Sequence, residues 1–506
     1  MPTFAAVDIG ANSVRLKISN LVNHRLSAVH QDREVTRLGE AVFRTGALDP
    51  AAIALTVKVL SRFYKAVQTY GAQSVRVVAT SALRDASNAS AFTAWVHAAT
   101  GWRVETITGL EEGRLIHLGV ISGMRLPLER MLLIDLGGGS CELTVSLHGQ
   151  IESIYSLPLG AVRLTRVFLQ HDPAKKRELQ QLKGFIEEEI GRVERELASA
   201  RVQMTVATSG TASALAEMWA AKAKKRTTVV PRETLVKLAR QLGKMDIAQR
   251  RALKGIGPRR AEIITAGAAA FAELLSRLHL PNFRYSPLGL CDGILAQLAS
   301  EYDISSSVRK RIESERENTL DRMTKQYHVD LRFAARVREH AAALFKELRP
   351  VHQLPDEYAD WLAAACMLQE IGSFINRTGR RRHTYYAIAH SEMFGYTVRQ
   401  RLIIAAIARY ISASPPLSGG KPVRVLAASD RPLVAKAVGL LRLARALEQG
   451  RRGTVTGIRV RVGPRRVVLL LNAKRPGADL ELWALNNERP YFREVFGREL
   501  AAFESD

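Results

Sequence analysis

The chain has few cysteines and no long apolar run, and each shortage excludes a class of protein. Only three cysteines occur among 506 residues, at Cys141, Cys291 and Cys366. With no C-x-x-C pair they predict neither a disulfide framework nor a zinc site, and we expect them to be buried small residues. No apolar run reaches membrane-spanning length, and the first residues, MPTFAAVDIG, lack the features of a signal peptide. We therefore expect a cytoplasmic protein that does not bind membranes.

Acidic residues are scarce relative to basic ones, and aromatic residues are scarce altogether. Lys and Arg number 74 against 49 Asp and Glu, for a formal net charge of +25. The excess lies in short clusters: Lys175-Lys176-Arg177, Lys222 with Lys224-Lys225-Arg226, Arg259-Arg260, Arg380-Arg381-Arg382, Arg451-Arg452 and Arg465-Arg466. It predicts a polyanionic partner, although a merely solvated basic surface is the alternative. Aromatic residues, at 6%, are not interleaved with these clusters, so we expect no specific nucleic-acid binding by base stacking.

The most informative feature that is present is a repeated stretch. AAVDIGANSVRL begins at Ala5, and LLIDLGGGSCEL begins 127 positions later, at Leu132. In register, the matched pairs are Asp8 with Asp135, Gly10 with Gly137, Ser13 with Ser140 and Leu16 with Leu143. The pattern predicts a duplicated hairpin whose small turn residues, Gly137, Gly138 and Gly139 above all, let backbone N–H groups face a phosphate.

An Asp directly before such a turn has a chemical consequence. A carboxylate repels a phosphate, so Asp8 and Asp135 predict a divalent cation, Mg²⁺ or Mn²⁺, between them and the ligand. A flexible turn after an ordinary Asp would explain one copy, but two copies in register favour the phosphate site. Neither G-x-x-x-x-G-K-[ST] nor a G-x-G-x-x-G after a strand occurs, which excludes a P-loop mechanism and a dinucleotide-binding one.

Polar residues follow predicted strands between the two copies, where ligands gather in α/β sheets. VVATSALRDASN, from Val77, supplies Arg84, suited to bidentate phosphate binding, and Asn88. GLEEGRLI supplies Glu111 and Glu112 at the start of a predicted helix. Acidic residues there interact with the helix dipole, or one of them orients a water for phosphoryl transfer.

Further Gly-bearing turns precede helices in the second α/β region. VATSGTASAL places Ser209, Gly210 and Thr211 between a strand and a helix N-terminus, and LGLCDGIL starts the last helix of that region. LKGIGPRRA, from Leu253, is similar to the hairpin of a helix-hairpin-helix DNA-binding motif. Because it lies inside an α/β region, we assign it no DNA-binding role.

Four regions follow from the pattern of elements, as expected for a chain too long for one core. Strands and helices alternate over residues 1–125 and 126–305, each starting with one copy of the repeat, which predicts an α/β fold. Residues 306–445 are almost wholly helical. Residues 446–506 are interpreted as a small α+β module, with strands at Thr454–Val462, Arg466–Leu471 and Glu481–Leu485 and a closing helix over Tyr491–Phe503.

VDIGANSVRL, ATSALRDASN, GLEEGRLI, IDLGGGSCEL, SGTASAL and LGLCDGIL, in that order, resemble the exopolyphosphatase and guanosine pentaphosphate phosphohydrolase family over most of the chain. The resemblance implies a duplicated actin-like ATPase fold, as in sugar kinases and Hsp70, followed by a helical HD-like domain and a small α+β module. It also implies a hydrolase of phosphorus-containing acid anhydrides, which releases orthophosphate from inorganic polyphosphate or from the 5′ end of pppGpp.

The same resemblance carries roles onto particular residues. Glu112 corresponds to the catalytic base that activates water, with Glu111 as the neighbouring fallback, and Asp135 and Glu142 correspond to ligands of the divalent metal. Phosphate contacts are assigned to Asn12, Ser13, Arg15, Arg84, Asn88, Gly137, Gly138, Gly139, Ser140, Ser209, Gly210 and Thr211.

One segment departs from the family pattern. The family's helical domain resembles His-Asp metal phosphohydrolases, with an L-H-D/E-x-G segment, but this chain has Gln369 where the His belongs. A Gln amide is a weak ligand where an imidazole is a strong one, so we predict no second hydrolase centre, although His383 and His390 lie downstream. We expect this domain to form a basic wall that guides the polymer and a homodimer surface.

Three alternatives stay open. pppGpp offers the same terminal phosphoanhydride as polyphosphate, although the long basic helical region favours the polymer. A kinase of the same fold acting on ATP would need an acceptor-binding motif, and none is evident. A non-catalytic polyanion-binding protein would keep its function when Glu112 is changed.

Overall fold

Two units make up the chain in the computed structural model, Met1–Arg311 and Ile312–Asp506. The structure describes residues 1–124, 129–224, 227–257, 260–303, 305–411, 421–475 and 477–505. The predicted domain border at 125/126 lies outside the described residues, as do Lys225, Arg226 and Arg259 of the basic clusters. Within the described ranges, no helix combines the length and the apolar sequence that crossing a membrane requires.

The first unit contains two β-sheets of related topology. One has the order β3-β2-β1-β4-β5 and the other β10-β11-β9-β6-β7-β8, with these bounds: β1 Thr3–Ile9, β2 Val14–Val22, β3 Arg25–Glu34, β4 Ser74–Ala79, β5 Val104–Thr106, β6 Met131–Leu136, β7 Cys141–Leu147, β8 Gln150–Leu157, β9 Met204–Thr208, β10 Val229–Pro231 and β11 Asn282–Tyr285. In each sheet three strands form an antiparallel meander, and the next runs parallel to the first of them. The repeated sequence is therefore a repeated α/β fold, as predicted.

Helices cover both sheets of this unit. They are α1 Gly39–Thr45, α2 Pro50–Thr69, α3 Ser81–Asp85, α4 Ala89–Thr100, α5 Gly109–Gly123, α6 Ala161–Phe168, α7 Lys176–Gly191, α8 Glu194–Ser199, α9 Ser209–Ala223, α10 Arg232–Leu242, α11 Ile247–Arg251, α12 Ile264–Arg277 and α13 Leu290–Tyr302. We call β1 to β5 with α1 to α4 the first lobe, and β6 to β11 with α6 to α12 the second lobe.

β1 shows how the two lobes share a core. Because successive residues of a strand face opposite sides, Ala5, Val7 and Ile9 join the outer core of the first lobe, whereas Phe4 and Ala6 join a central core with α5 and α13. The central core also takes residues from β6 and β9. Both faces of β1 are thus buried, which explains its nearly unbroken apolar sequence. The three cysteines are also buried, as predicted.

The second unit combines helices with a small sheet, β12-β13-β14. Its elements are α14 Ser307–Gln326, α15 Leu331–Glu347, α16 Arg349–His352, α17 Glu357–Leu368, a 3₁₀ turn Ile371–Phe374, α18 Arg380–His390, α19 Val398–Arg409, α20 Lys421–Arg424, α21 Asp430–Ala446, β12 Val455–Val462, β13 Arg466–Ala473, α22 Asp479–Asn487, α23 Arg489–Phe496 and β14 Glu499–Glu504. One hydrophobic core extends from Met323 to Leu500, so the predicted border at 445/446 does not separate two cores.

Two predictions for the C-terminal region were wrong. Glu481–Leu485 is helical, within α22, and its buried residues Glu481, Ala484 and Leu485 have the spacing of a helix face. The closing helix ends at Phe496, because Gly497 adopts a left-handed φ of 66° and β14 follows, parallel to β13. The sequence interpretation also missed β3, a polar edge strand, and the short β10 and β11.

Candidate active site

The two repeated turns meet between the lobes of the first unit. Gly10 N–H donates to Ser13 O over 3.2 Å, and Gly137 N–H donates to Ser140 O over 3.0 Å. A Cβ added at Gly138 would lie 3.1 Å from a side-chain atom of the other turn, so a small residue permits this close approach. The two turns are built alike, as the repeat predicts, and they line one cleft.

Most of the predicted site residues line this cleft. They are Asn12, Ser13, Arg15, Glu112, Asp135, Gly137, Gly138, Ser140, Ser209 and Gly210. They come from both lobes and from the first turn of α5. The chain folds so that segments more than a hundred residues apart meet at one place.

Three carboxylates gather beside the turns. Glu112 on the first turn of α5, Asp135 on β6 and Glu142 on β7 have carboxylate oxygens within 4.8 Å of one another. Asp135 and Glu142 are direct partners in the β6–β7 ladder. Like charges this close in a buried place disfavour ionisation unless a cation joins them.

Burial raises the pKa of each of these carboxyl groups. The pKa of Glu112 rises to about 7, with Arg84 opposing the shift and Asp135 adding to it. Burial likewise raises the pKa of Asp135 to about 6, and burial together with Glu112 raises the pKa of Glu142 well above its ordinary value. The pKa of nearby Asp8 is raised by burial as well. The cluster therefore favours protons or a cation near neutral pH.

Arg84 contacts the candidate base. Its Nη1 donates to Glu112 Oε2 and to Ile107 O, both over 2.9 Å, and its Nη2 donates to Ser140 Oγ over 3.2 Å. We predicted a phosphate contact for Arg84, and in the structure its charged partner is Glu112. Arg84 thus orients one oxygen of the candidate base and offsets part of the cost of burying it.

Glu142 has one satisfied oxygen and one unsatisfied oxygen. Ser156 Oγ donates to Glu142 Oε1 over 2.8 Å, whereas the buried Oε2 has no hydrogen-bond partner among the described residues. A buried carboxylate oxygen without a partner is costly. Together with the neighbouring carboxylates, it forms a donor set that fits a hard divalent cation.

Three arginines line the same cleft: Arg15, Arg33 and Arg260. Burial first, and then Arg33 and Arg15, lower the pKa of Arg260 to about 10. An anion placed among these guanidinium groups would relieve their mutual repulsion. The sequence interpretation named Arg15 as a site residue and not the other two, because Arg33 lies on the unrecognised strand β3 and Arg260 lies in the hairpin-like segment that we set aside.

The third Gly-rich turn contains a strained residue. Ser209 has a φ of 92°, in the region that favours glycine, at the point where α9 begins. A Cβ added at Gly210 would meet the guanidinium of Arg260, so a larger residue here would displace that side chain. Thr211 is buried, and its Oγ1 accepts a long hydrogen bond of 3.5 Å from Arg260 Nη1. This turn therefore seats Arg260 beside the cleft.

Four predicted phosphate ligands are not among the residues that line the cleft: Arg84, Asn88, Gly139 and Thr211. The Asn88 side chain accepts from Leu48 N–H over 2.8 Å and donates to Leu48 O over 3.1 Å, so it is used inside the first lobe. Gly139 packs where a Cβ would clash with Ser81 and Phe43. Asn88 and Gly139 thus pack within the walls of the site.

A larger cavity of about 740 Å³ adjoins the cleft and shares Asn12, Arg15, Ser209, Gly210 and Arg260 with it. Its lining also includes Tyr285, Gly255 and Gly257, so part of the hairpin-like segment faces this space. Pro258 and Arg259 of that segment lie outside the described residues.

In the second unit, an arginine contacts the position where the family pattern has its His. Gln369 is buried, its Oε1 accepts from Arg445 Nη1 over 3.1 Å, and its Nε2 donates to Cys366 O over 3.0 Å. Glu370 forms ion pairs with Arg445 at 3.4 Å and with Arg451 at 2.6 Å. A guanidinium bonded to Gln369 and Glu370 does not suit a metal cation.

Comparison with known proteins shows the class of enzyme to which this chain belongs. A curated relative from Aeromonas hydrophila, "Guanosine-5'-triphosphate,3'-diphosphate pyrophosphatase", is 26% identical over 409 residues and covers 80% of each chain. A Ppx/GppA family member from Aquifex aeolicus is 28% identical, covering 60% of this chain and 99% of its own, with a TM-score of 0.50. An exopolyphosphatase from Cytophaga hutchinsonii, 23% identical over 58% of this chain and 97% of its own with a TM-score of 0.56, supports the fold. The class is that of phosphoanhydride hydrolases, as predicted.

The family follows from matches to its two parts. Residues 17–301 match the Ppx/GppA phosphatase family, and residues 316–487 match Ppx/GppA phosphatase, domain III. The chain belongs to the Ppx/GppA phosphatase family, which confirms the resemblance drawn from the motifs. The domain III match extends across the predicted border at 445/446.

Proposed function

We propose that this protein is an exopolyphosphatase that removes the terminal phosphate of inorganic polyphosphate. The observation that carries the proposal is a cluster of three carboxylates, of which Glu112 and Asp135 line a cleft that three arginines also line. The net charge of +25 and the basic clusters of the helical region favour a long polyanion over a single nucleotide. We also propose that this helical region guides the polymer.

The proposed reaction transfers the terminal phosphoryl group to water. The water oxygen bonds to the terminal phosphorus, and the anhydride P–O bond breaks with its electron pair on the oxygen of the shortened polyphosphate, which is the leaving group. The terminal phosphoryl group and the water together become orthophosphate. Glu112 accepts a proton from the water, and its pKa of about 7 suits that transfer at neutral pH. Arg84 holds Glu112 Oε2, while Arg15, Arg260 and the turn N–H groups bind the phosphates.

Asp135 and Glu142 would hold the divalent cation, Mg²⁺ or Mn²⁺. They are adjacent across the β6–β7 ladder, their pKa values are raised by burial, and one oxygen of Glu142 lacks a hydrogen-bond partner among the described residues. When bound, such a cation supplies positive charge that offsets the charge of the phosphoryl oxygens. Ser156 keeps Glu142 in place for this role.

pppGpp is the second candidate substrate. The Aeromonas relatives carry a guanosine compound in their name, and the cavity of about 740 Å³ beside the cleft has room for a nucleoside, with Tyr285 in its lining for base stacking. The terminal phosphate of either substrate would occupy the same cleft.

Orthophosphate release from long-chain polyphosphate and from pppGpp, side by side with Mg²⁺, tests the proposal. Glu112→Ala is compared with Glu194→Ala, which removes a carboxylate paired with Arg277 in the second lobe. We expect polymer hydrolysis in wild type and Glu194→Ala and its loss in Glu112→Ala. Release confined to pppGpp would assign the nucleotide activity instead, and polymer binding without release would indicate a non-catalytic polyanion-binding protein.

A further inference from the structure

Glu111, the residue before the candidate base, is bound into a buried network. Arg114 Nε donates to Glu111 Oε2 over 2.7 Å, and Arg114 Nη2 donates to Glu111 Oε1 over 2.9 Å. The Arg114 side chain is fully buried, and that of Glu111 is 12% exposed. One guanidinium binds both carboxylate oxygens of Glu111. Glu111 therefore makes a structural ion pair, and Glu112 stays the candidate base.

The network continues into the first lobe and into α13. Arg76 on β4 donates through Nη1 to Gln297 Oε1 over 3.1 Å, and Arg114 Nη2 donates to the same oxygen over 2.8 Å. Arg76 also donates twice to Glu105 Oε2 on β5. Two arginines and two glutamates balance in charge, and Gln297 links them to α13. Three separate parts of the first unit therefore converge on the first turn of α5.

The backbone at this turn is equally constrained. Thr108 Oγ1 accepts from Glu111 N–H over 3.2 Å, and Thr108 O accepts from Glu112 N–H over 2.9 Å. Further along α5, a Cβ at Gly119 would lie 2.7 Å from Gly289 O, so α5 and α13 cross in close backbone contact. The helix therefore has little freedom to shift along or away from α13.

We propose that Arg114, acting through Glu111, is a positioning residue for Glu112. The inference rests on the proposed function, in which Glu112 is the base. Successive residues of a helix point roughly 100° apart, so holding Glu111 against Arg114 and near Arg76 sets the rotation of the turn. That rotation aims Glu112 at Asp135 and Glu142. Gln297 serves the same end by accepting from Arg114, and Arg76 does so as a second cation 3.8 Å from Glu111 Oε1.

The test compares Arg114→Met in two backgrounds, wild type and Glu112→Ala, using orthophosphate release from polyphosphate with Mg²⁺. In the wild-type background we expect kcat to fall by about 10²-fold, the effect of displacing a catalytic group by about 1 Å, with KM changed by less than about twofold. In the Glu112→Ala background, the residual rate is measured at high enzyme concentration, and we expect Arg114→Met to lower it no further, because residues that act as one unit are not additive. Arg114→Lys, which keeps the charge without the fork, is expected to recover part of kcat.

Controls separate positioning from folding. Arg442→Met removes another buried arginine, paired with Glu488 in the second unit, and is expected to retain kcat. If Arg114→Met does not give a folded protein by circular dichroism, Gln297→Leu, which removes only the shared acceptor, is compared in the same two backgrounds. An unchanged kcat in the wild-type background, or an equal loss in both, would overturn the inference. Full activity of Glu112→Ala would instead refute Glu112 as the base.

Discussion

Glu112→Gln is expected to remove hydrolysis and, at high pH, to stabilise the metal-free protein. Burial raises the pKa of Glu112 from 4.5 to about 7. The folded protein therefore binds more protons than the unfolded chain between these values, so wild type loses stability as the pH rises through that window. At about 1.36 kcal/mol per pKa unit, the loss between pH 4.5 and 8 is about 3 kcal/mol. Gln is neutral throughout and incurs no such loss.

Thermal melting in EDTA at pH 4.5, 6 and 8 measures this difference. Relative to wild type, the melting temperature of Glu112→Gln should increase with pH, by roughly 6 °C in all at about 2 °C per kcal/mol for a large unit. Added Mg²⁺ should stabilise wild type more than the variant, because the variant lacks one of the clustered charges. Glu194→Gln, which changes a partly exposed carboxylate in the second lobe, serves as the control for a substitution of the same type outside the cleft. A difference that is independent of pH, or one that shrinks as pH rises, would refute the reasoning.

Three further predictions follow from the geometry and charge. Ser156→Ala removes the hydrogen bond to a proposed metal ligand and should raise the Mg²⁺ concentration needed for half-maximal rate by about 10–100-fold; an unchanged Mg²⁺ dependence would contradict it. Gly139→Ala should lower the free energy of unfolding, measured in urea, by about 1–3 kcal/mol, because the added Cβ would clash with Ser81 and Phe43. The control Gly184→Ala, on α7 with open space around the added Cβ, should raise the free energy of unfolding slightly. KM for long polyphosphate should rise steeply with salt and KM for pppGpp much less, and equal slopes in a salt series would argue against a distal basic track.

Local sequence was sufficient to predict the two turns and part of the carboxylate cluster. The repeat predicted two hairpins, and in a hairpin the residues on either side of a short turn must become ladder partners. Asp135 and Glu142 therefore face each other for a reason that is local. The start of α5 was likewise readable, because Thr108 caps the helix just before Glu111 and Glu112.

Other features depended on contacts between distant segments. Arg33 and Arg260 are far apart in sequence, and no local pattern shows that they share a cleft with Arg15. Asn88 matches a phosphate-binding motif, yet its side chain is bound to Leu48. The short apolar run at Glu481–Leu485 suits a strand or a helix equally well, and packing in the second unit made it a helix.

The sequence by itself determined the duplicated α/β architecture, the Gly-rich turns and the presence of a carboxylate pair at the start of α5, because backbone sterics, capping and strand alternation act over a few residues. The tertiary structure alone decided which of the two carboxylates faces the cleft. Glu111 and Glu112 are chemically alike, and the buried contacts of Arg114, Arg76 and Gln297 set the rotation that separates them. The local sequence thus supplies the reactive side chains of the site, whereas packing between distant parts of the chain sets their orientation.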